Sequence, residues 1–398
     1  MIIKPYILFT RIPIVKNQLG RIFCDPLWAK DLKLHLDYIK DFQMCCPVVY
    51  GNDVKGLEDI TDYGIKHIFE IRKDYGFGSV AKNLLPNLVG VIKACKNASI
   101  VHSGGAGWAF PLSFYLLLLR PFFSFQWVIV IESSFWMLNK GEKITLRKLI
   151  SHYAHKIILT QCVRRADARI FTQSFYRTYF LKAETDCTLI APATWIDKNN
   201  LVSPDRVKKR HLDRKGETVQ MIFPARLTED KGVFVLFDAI EHLKNLDVAV
   251  NITIMGTGEL AEDCKAFALK DFGNIKVTYR DPVEYGSEFF NILYNADVIL
   301  IPNLKEEQPR IVFDSFSQGV GVIASDTSGI LDITIDGENA IICKRGDPQS
   351  LAKAIYQAVE NPGLVLQMGL NGLNFVQGKT HLQMHLDRQQ FFAHALNL

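Results

Sequence analysis

Residues 219–232 read VQMIFPARLTEDKG and residues 298–319 read VILIPNLKEEQPRIVFDSFSQG. In each stretch a short apolar run ends in a polar segment that leads into a helix-like pattern. The runs VQMIFPA and VILIP lack the alternation of a half-solvated strand, and such continuity marks strands buried on both faces of a parallel sheet. Outward from them, VNITIMG, IKVTY, GVIAS and AIICK repeat the strand signal. Between them lie a helix from about Lys231 to Lys244, one from Ala261 to Lys270, one centred on Asn291, and PQSLAKAIYQAVEN. Strand and helix signals in alternation predict a doubly wound α/β domain.

The first half shows the same alternation in YILFT, WAKDLKLHLDYIKDF, CCPVVY, KHIFEI, a helix from about Val80 to Lys96, SIVHS, QWVIVI and ARIFT. Two such domains in series suggest a ligand held where the C-terminal ends of the sheets face each other. We place an N-terminal domain at 1–198, a linker at 199–216 in the polar, basic LVSPDRVKKRHLDRKGET, and a C-terminal domain at 217–378. The amphipathic tail 379–398 forms a last helix.

With 48% hydrophobic and 22% charged residues the chain has a globular composition. Its net charge of +4 over 398 residues is too weak a bias to indicate nucleic acid. Eight cysteines occur without a Cys-x-x-Cys or a zinc-finger histidine pair and read as reduced, buried thiols. The N-terminal MIIKPYILFTRIPIV is broken by Pro5, Arg11 and Pro13, unlike a signal peptide, so a cytoplasmic location is expected. FPLSFYLLLLRPFFSFQWVIVI (110–131) has the length of a membrane span, but Arg120-Pro121 at its centre divides it into a helix and a strand.

Arg226 and Lys231 stand five apart between a strand end and a helix, where two cations and free backbone N–H groups suit a diphosphate. Gly256 and Gly258, in IMGTGEL, allow close backbone approach to a phosphate or sugar. A helix beginning near Pro309 puts Asp314 inside it and Glu306 in the preceding loop, so that two carboxylates bracket one hydroxyl-rich ligand while the N–H groups of Arg310 and Ile311 face its phosphates.

These motifs occur in a fixed order: RLTEDKG, GTGE, Glu-x7-Asp, then SFSQGVGVIASDTSGILDITIDGENAIICKRGDPQSLAKAI. In that order the chain resembles glycosyltransferase family 4, the retaining family of the GT-B fold, from about Gln220 to Asn361. Two departures are Asp314 in place of the second Glu of Glu-x7-Glu, and Gly321 where proline is common. The resemblance implies two Rossmann-like domains facing a central cleft, with the last helix returning to the first domain. It implies a nucleoside-diphosphate sugar donor, UDP- or GDP-linked, and a hydroxyl acceptor. Arg226 and Lys231 would neutralise the diphosphate, Glu306 would contact the donor sugar, Asp314 would hold the ribose, and Arg280, Asp281 and Val283 would grip the base. No cofactor or metal is expected, since the cations serve the leaving group and the Asp-x-Asp motif of the other main transferase fold is absent.

At the family's usual histidine position this chain offers Glu132, read either as a base or sugar contact or as a structural carboxylate. Gly20, His102, Gly104 and Gly105 are further candidates for the acceptor side, with His102 read equally as a core histidine. In the basic stretch 140–169, Lys143, Arg147 and His155 form one helical stripe and Leu146, Leu149, Ile150, Tyr153 and Ile157 an apolar one. That helix either packs its apolar stripe on the sheet or seats the protein on an anionic membrane. Two rival functions remain open on sequence: a sugar-nucleotide epimerase of the same fold, and a catalytically silent nucleotide-sugar-binding scaffold.

Overall fold

The computed structural model describes residues 1–397 apart from 76, 108–109, 139–143, 182–184 and 247. The chain forms two compact units, Met1–Pro192 with Met384–Leu398, and Ala193–Gln383.

In the first unit the strands are β1 (Tyr6–Phe9), β2 (Ile14–Lys16), β3 (Ile22–Cys24), β4 (Phe42–Tyr50), β5 (Glu58–Asp59), β6 (His67–Ile71), β7 (Ile100–Gly104), β8 (Gln126–Ile131), β9 (Ala168–Phe171) and β10 (Thr188–Ile190). The parallel core runs β10-β9-β8-β7-β1-β4, with β6 also on β4, while β2, β3 and β5 extend the far end of β4. Chain order therefore reverses between β1 and β7. One apolar layer contains Ile7, Trp127, Ile129 and Phe171, and the other contains Tyr6, Leu8, Val128 and Ile170, as the period of two along each strand requires. The helix Pro26–Tyr38 opens on Asp25, whose carboxylate accepts from Leu27 N and Trp28 N at 3.0 and 3.1 Å. Proline follows at the first helical position, where its missing N–H costs nothing.

The second unit holds β11 (Val219–Pro224), β12 (Val250–Met255), β13 (Ile275–Arg280), β14 (Val298–Ile301), β15 (Gly321–Ser325) and β16 (Ala340–Cys343). All are parallel, in the order β13-β12-β11-β14-β15-β16. Chain order reverses here between β11 and β14, which pair through Met221↔Val298 and Ile222↔Ile299.

The stretch 199–216, expected to be a linker, instead contains the helix Pro204–Asp213, capped by the Ser203 hydroxyl. It is polar almost all round and buries only Val207. Arg210 fastens it, donating to the carbonyls of Tyr294, Gln318 and Gly319 at 2.8, 3.1 and 2.7 Å. Burial lowers the guanidinium pKa from its usual value. A helix held by carbonyls distant in sequence leaves no apolar period to read.

Segment 110–131 divides at Arg120, between the helix Ser113–Leu119 and β8, and the guanidinium pairs with Asp167 at 2.8 Å. Among the described residues no helix is long and apolar enough to cross a membrane. All eight cysteines are unpaired thiols. Residues 384–398 cluster with the first unit, where Phe391, Phe392 and Leu396 join its core and Leu396 O accepts from Gln126 at 2.8 Å.

In the helix Leu146–Arg165 the buried side chains are His155, Leu159, Cys162 and Val163. Leu146, Ile150, Tyr153 and Ile157, the stripe read from the sequence as either packing on the sheet or facing a membrane, are exposed and do not pack on the sheet. Lys140 and Lys143 of the basic stretch lie outside the described residues.

Candidate functional site

In the second unit the loops after β11 and β14 meet where chain order reverses, the position at which open α/β sheets bind ligands. The β11 loop carries Arg226, which is exposed. The loop then makes a 3-10 turn, Glu229–Lys231, and enters the helix Val233–Leu243 through Gly232 at φ 82°. A Cβ on Gly232 would stand 2.0 Å from Pro302 O, so only glycine lets the two loops come together. Leu304 N donates to Asp230 O at 2.9 Å across the same junction.

Lys231 Nζ forms an ion pair with Glu307 Oε1, and Asn303 Nδ2 donates to that oxygen at 2.8 Å. Burial works against ionisation of Asp230, yet the Thr228 hydroxyl at 2.6 Å, helped by Lys305 and Lys231, holds its carboxyl below the usual range. The crevice is thus bordered by a cation paired with Glu307, a second, exposed cation, and the Asp230 carboxylate held ionised.

Glu306 turns its carboxylate toward other partners. Its Oε1 accepts from Arg345 at 2.5 Å, and its Oε2 accepts from Ser328 N at 2.8 Å, the first residue of the helix Ser328–Leu331. Asp314 lies inside the helix Ile311–Ser317, as the sequence predicts, and Arg310 is the cap residue. Buried to 6% exposure, Asp314 accepts from Tyr285 OH at 2.8 Å. Burial first, and the Asp314 carboxylate second, push the Tyr285 phenol well above its usual pKa. Sequence reasoning missed Glu307, Asn303, Tyr285 and Arg345. Of these only Glu307, beside Glu306, carried a signal.

Gly256 and Gly258 both sit at φ 155° after β12. Their missing side chains leave room for the neighbouring loop: a Cβ on Gly256 would lie 1.9 Å from Ala225 O, and one on Gly258 would lie 2.4 Å from Leu227 O. The loops are stitched by Ala225 N to Met255 O at 3.0 Å and Leu227 N to Thr257 O at 2.9 Å. Backbone packing on either side of Arg226 already requires both glycines, whether or not a ligand also approaches them. At the end of β13, Arg280 O accepts from Gly256 N at 3.2 Å and the Arg280 side chain pairs with Glu288 at 3.0 Å. Asp281 accepts from Tyr279 OH at 3.1 Å, and Val283 is half-buried in the following loop.

The first unit has its own reversal between β1 and β7. Gly104 ends β7 and Gly105 follows it, Gly105 N donating to Val130 O at 2.8 Å, and Glu132 is exposed just past β8. His102 belongs elsewhere. It is 5% exposed within β7, bonded to Tyr6 OH at 2.6 Å, and burial drives its pKa well below the usual value. Its surroundings are those of the core histidine that the sequence offered as the alternative to an acceptor-side role. Gly20 closes the exposed turn between β2 and β3 at φ 77°, donating to Asn17 O, a role local geometry explains by itself.

Arg11, read from the sequence only as a break in the N-terminal apolar run, stands two positions past β1 just as Arg226 stands two positions past β11. It pairs with Asp74 at 2.9 Å and donates to Phe110 O at 2.8 Å. Among the described residues one grouping has metal-ligand proximity, Asp31, His35 and His385, with ligand atoms within 4.8 Å of one another. It is a core network of the first unit in which His385 Nε2 already meets Asp31 at 2.9 Å.

Residues 205–375 match the family model of "Glycosyl transferases group 1". An uncharacterized glycosyltransferase of Methanocaldococcus jannaschii is 25% identical over 221 residues, 53% of this chain and 61% of that protein. The putative glycosyltransferase EpsD of Bacillus subtilis is 25% identical over 189 residues, 46% of this chain and 48% of that protein. The chain thus spans about half the length of these relatives. Among solved structures, sucrose-phosphate synthase from Thermosynechococcus elongatus aligns with a TM-score of 0.72 at 16% identity, over 99% of each chain. Anabaena HepE in complex with UDP-glucose aligns with a TM-score of 0.65 at 14% identity, over 99% of this chain and 100% of that one. The fold is the two-sheet α/β architecture of GT-B glycosyltransferases, and the group 1 family match covers residues 205–375, most of the second unit.

Proposed function

We propose that the protein transfers a hexosyl group, with retention, from a nucleoside-diphosphate sugar to a hydroxyl acceptor. The observation that carries this reading is the junction of the β11 and β14 loops, where Lys231 is anchored by Glu307 beside the outward-reaching Arg226. An ammonium has three N–H donors and Glu307 takes one, leaving capacity for phosphate oxygens. As the glycosidic bond breaks, negative charge grows on the departing diphosphate. Cations fixed beforehand stabilise that charge more than they stabilise the bound substrate, which is what lowers the barrier. In this reading a divalent cation is not required, because Arg226 and Lys231 perform the neutralisation.

Glu306 serves the donor sugar from the β14 loop, and its bonds to Arg345 and Ser328 orient the carboxylate. Asp314 holds the ribose with Tyr285 fixing its rotamer. UDP is the favoured nucleotide, supported by the likeness to HepE, whose structures contain UDP and UDP-glucose. Relatives named for amylovoran and capsular polysaccharide biosynthesis favour a hydroxyl of a growing glycan as acceptor. That all these relatives are named as transferases leaves the epimerase and silent-scaffold readings without support.

A thermal-shift screen of the purified chain against UDP, GDP, ADP, TDP and their sugars, with EDTA and then with magnesium, tests the reading. Ligand that binds only the folded state raises the melting temperature, by ~2.7 kcal/mol of stabilisation at a hundredfold excess over Kd. A selective shift in EDTA is expected for UDP and its sugar. A folded protein that no nucleotide shifts under either condition overturns the proposal.

A further inference from the structure

The helix Leu146–Arg165 is apolar on two opposite faces. One carries the buried His155, Leu159, Cys162 and Val163 against the first unit's core. On the other, Leu146, Ile150, Tyr153 and Ile157 are 74, 62, 53 and 63% exposed. At 3.6 residues per turn these four fall within about 60° of one another and run for ~16 Å along the helix. Ile144, just before the helix, is 56% exposed, and on the adjoining helix Ser113–Leu119 and the turn after it Leu118 and Phe122 are 49 and 77% exposed. Single apolar residues at a surface are ordinary, whereas an ordered apolar stripe marks a surface that meets something.

The charge pattern says what. The helix has Arg147, Lys148, Lys156, Arg164 and Arg165 and no acidic residue. By helical position Arg147 and Arg165 border the stripe on one side, Lys156 borders it on the other, and Arg164 continues its line. A second copy docked on this face through a twofold axis would set these cations against their own kind. A bilayer containing anionic phospholipid offers both complements at once. Acyl chains take the apolar side chains to a depth of ~5–10 Å while headgroup phosphates meet the flanking cations, and a tyrosine suits the boundary between them.

We propose that this face of the helix Leu146–Arg165 docks the protein on an anionic phospholipid surface, lying along the interface and not spanning it. This goes beyond the transfer reaction and does not depend on it. None of the stripe residues belongs to the nucleotide site, so binding to lipid and binding to nucleotide can be measured separately.

The test is sedimentation of the full chain with sucrose-loaded vesicles, either phosphatidylglycerol mixed with phosphatidylcholine or phosphatidylcholine alone. Partition onto the anionic vesicles is expected to exceed that onto neutral ones by at least ~10-fold at low salt, given ~1 kcal/mol per basic residue near such a surface. The double variant Ile150→Glu, Ile157→Glu should lose at least ~10-fold in partition while keeping the wild-type circular dichroism and melting temperature. Ile150→Ser, Ile157→Ser serves the same purpose should the glutamates disturb folding. Wild-type protein that ignores both vesicle types, or variants that bind as well as wild type, would overturn the proposal. Sedimentation velocity showing a dimer that the variants dissociate, with no vesicle binding, would assign the face to a second copy.

Discussion

Replacing Gly256 by alanine separates two reasons for a glycine at the end of β12. If glycine is there to admit a ligand, alanine spares the empty protein and weakens only nucleotide binding. The geometry predicts otherwise. The new Cβ would lie 1.9 Å from Ala225 O, against an ordinary contact of 3.4 Å or more, so the β11 loop must move by about 1.5 Å (3.4 minus 1.9). That movement pulls on the bonds from Ala225 N to Met255 O and from Leu227 N to Thr257 O, each worth ~1 kcal/mol. Holding alanine at φ 155° costs a further ~1–3 kcal/mol. The sum is ~3–5 kcal/mol, which for a unit the size of Ala193–Gln383 corresponds to ~6–20 °C in Tm. Gly273→Ala is the control, because Gly273 has φ 67° and nothing within 4 Å of its built Cβ. It incurs backbone strain alone, ~1–2 kcal/mol. Calorimetry of both variants without ligand decides the matter. Equal losses for the two, or a Gly256→Ala protein that melts like wild type yet binds nucleotide poorly, would refute the loop-packing argument.

Lys231→Ala should lower kcat by ~10²–10³ with little change in Tm, as expected for loss of one preplaced group that stabilises transition-state charge; steady-state transfer assays with the donor found by screening would show it, and a near-native rate would remove Lys231 from the site. Arg210→Met leaves three carbonyl oxygens without their donor and should destabilise the second unit by ~2–4 kcal/mol, measured by denaturant unfolding. The third expectation concerns acid. His385 faces Tyr38, His35, Asp31 and Arg388, and burial, opposed only in part by Asp31, drives its pKa down to about 3, so it is neutral in the folded chain. The unfolded chain takes up that proton below ~6.5, so stability falls as pH drops through 6.5 and continues to fall toward 3; at pH 5 His385 alone accounts for ~2 kcal/mol. His102 acts in the same direction. Unfolding at pH 7.5 and pH 5 should show this slope, and His385→Gln should flatten it.

The doubly wound sheets were legible because their strands, buried on both faces, leave apolar runs that punctuation by Gly, Pro and polar residues delimits. What escaped were elements whose signal resides in a partner. Strands β2, β3 and β5 are two or three residues long and exist through pairing with β4 and with one another. The helix Pro204–Asp213 looked like a linker because an arginine and three distant carbonyls do the work that an apolar stripe does elsewhere. The helix Leu146–Arg165 showed one apolar stripe in the sequence, and periodicity finds a stripe without saying whether it faces the sheet. Only its neighbours make His155, Leu159, Cys162 and Val163 the inner face.

At the site the same distinction holds one level down. Arg226, Lys231, Glu306 and Asp314 could be picked out because strand ends, helix starts and spacing are local properties. Their partners could not, since which of two adjacent carboxylates meets Lys231 depends on how the β14 loop crosses Gly232, and Pro302 O must approach that glycine before Glu307 can reach across. Arg11 shows that position relative to a strand end was an underused signal: it stands two residues past β1, as Arg226 does past β11, each at the strand where its sheet's chain order reverses. Their surroundings differ in a way that bears on chemistry. Asp74 and Phe110 O engage the Arg11 guanidinium, whereas Arg226 is exposed. Of the two crevices, the one in the second unit is therefore the better suited to a doubly charged diphosphate.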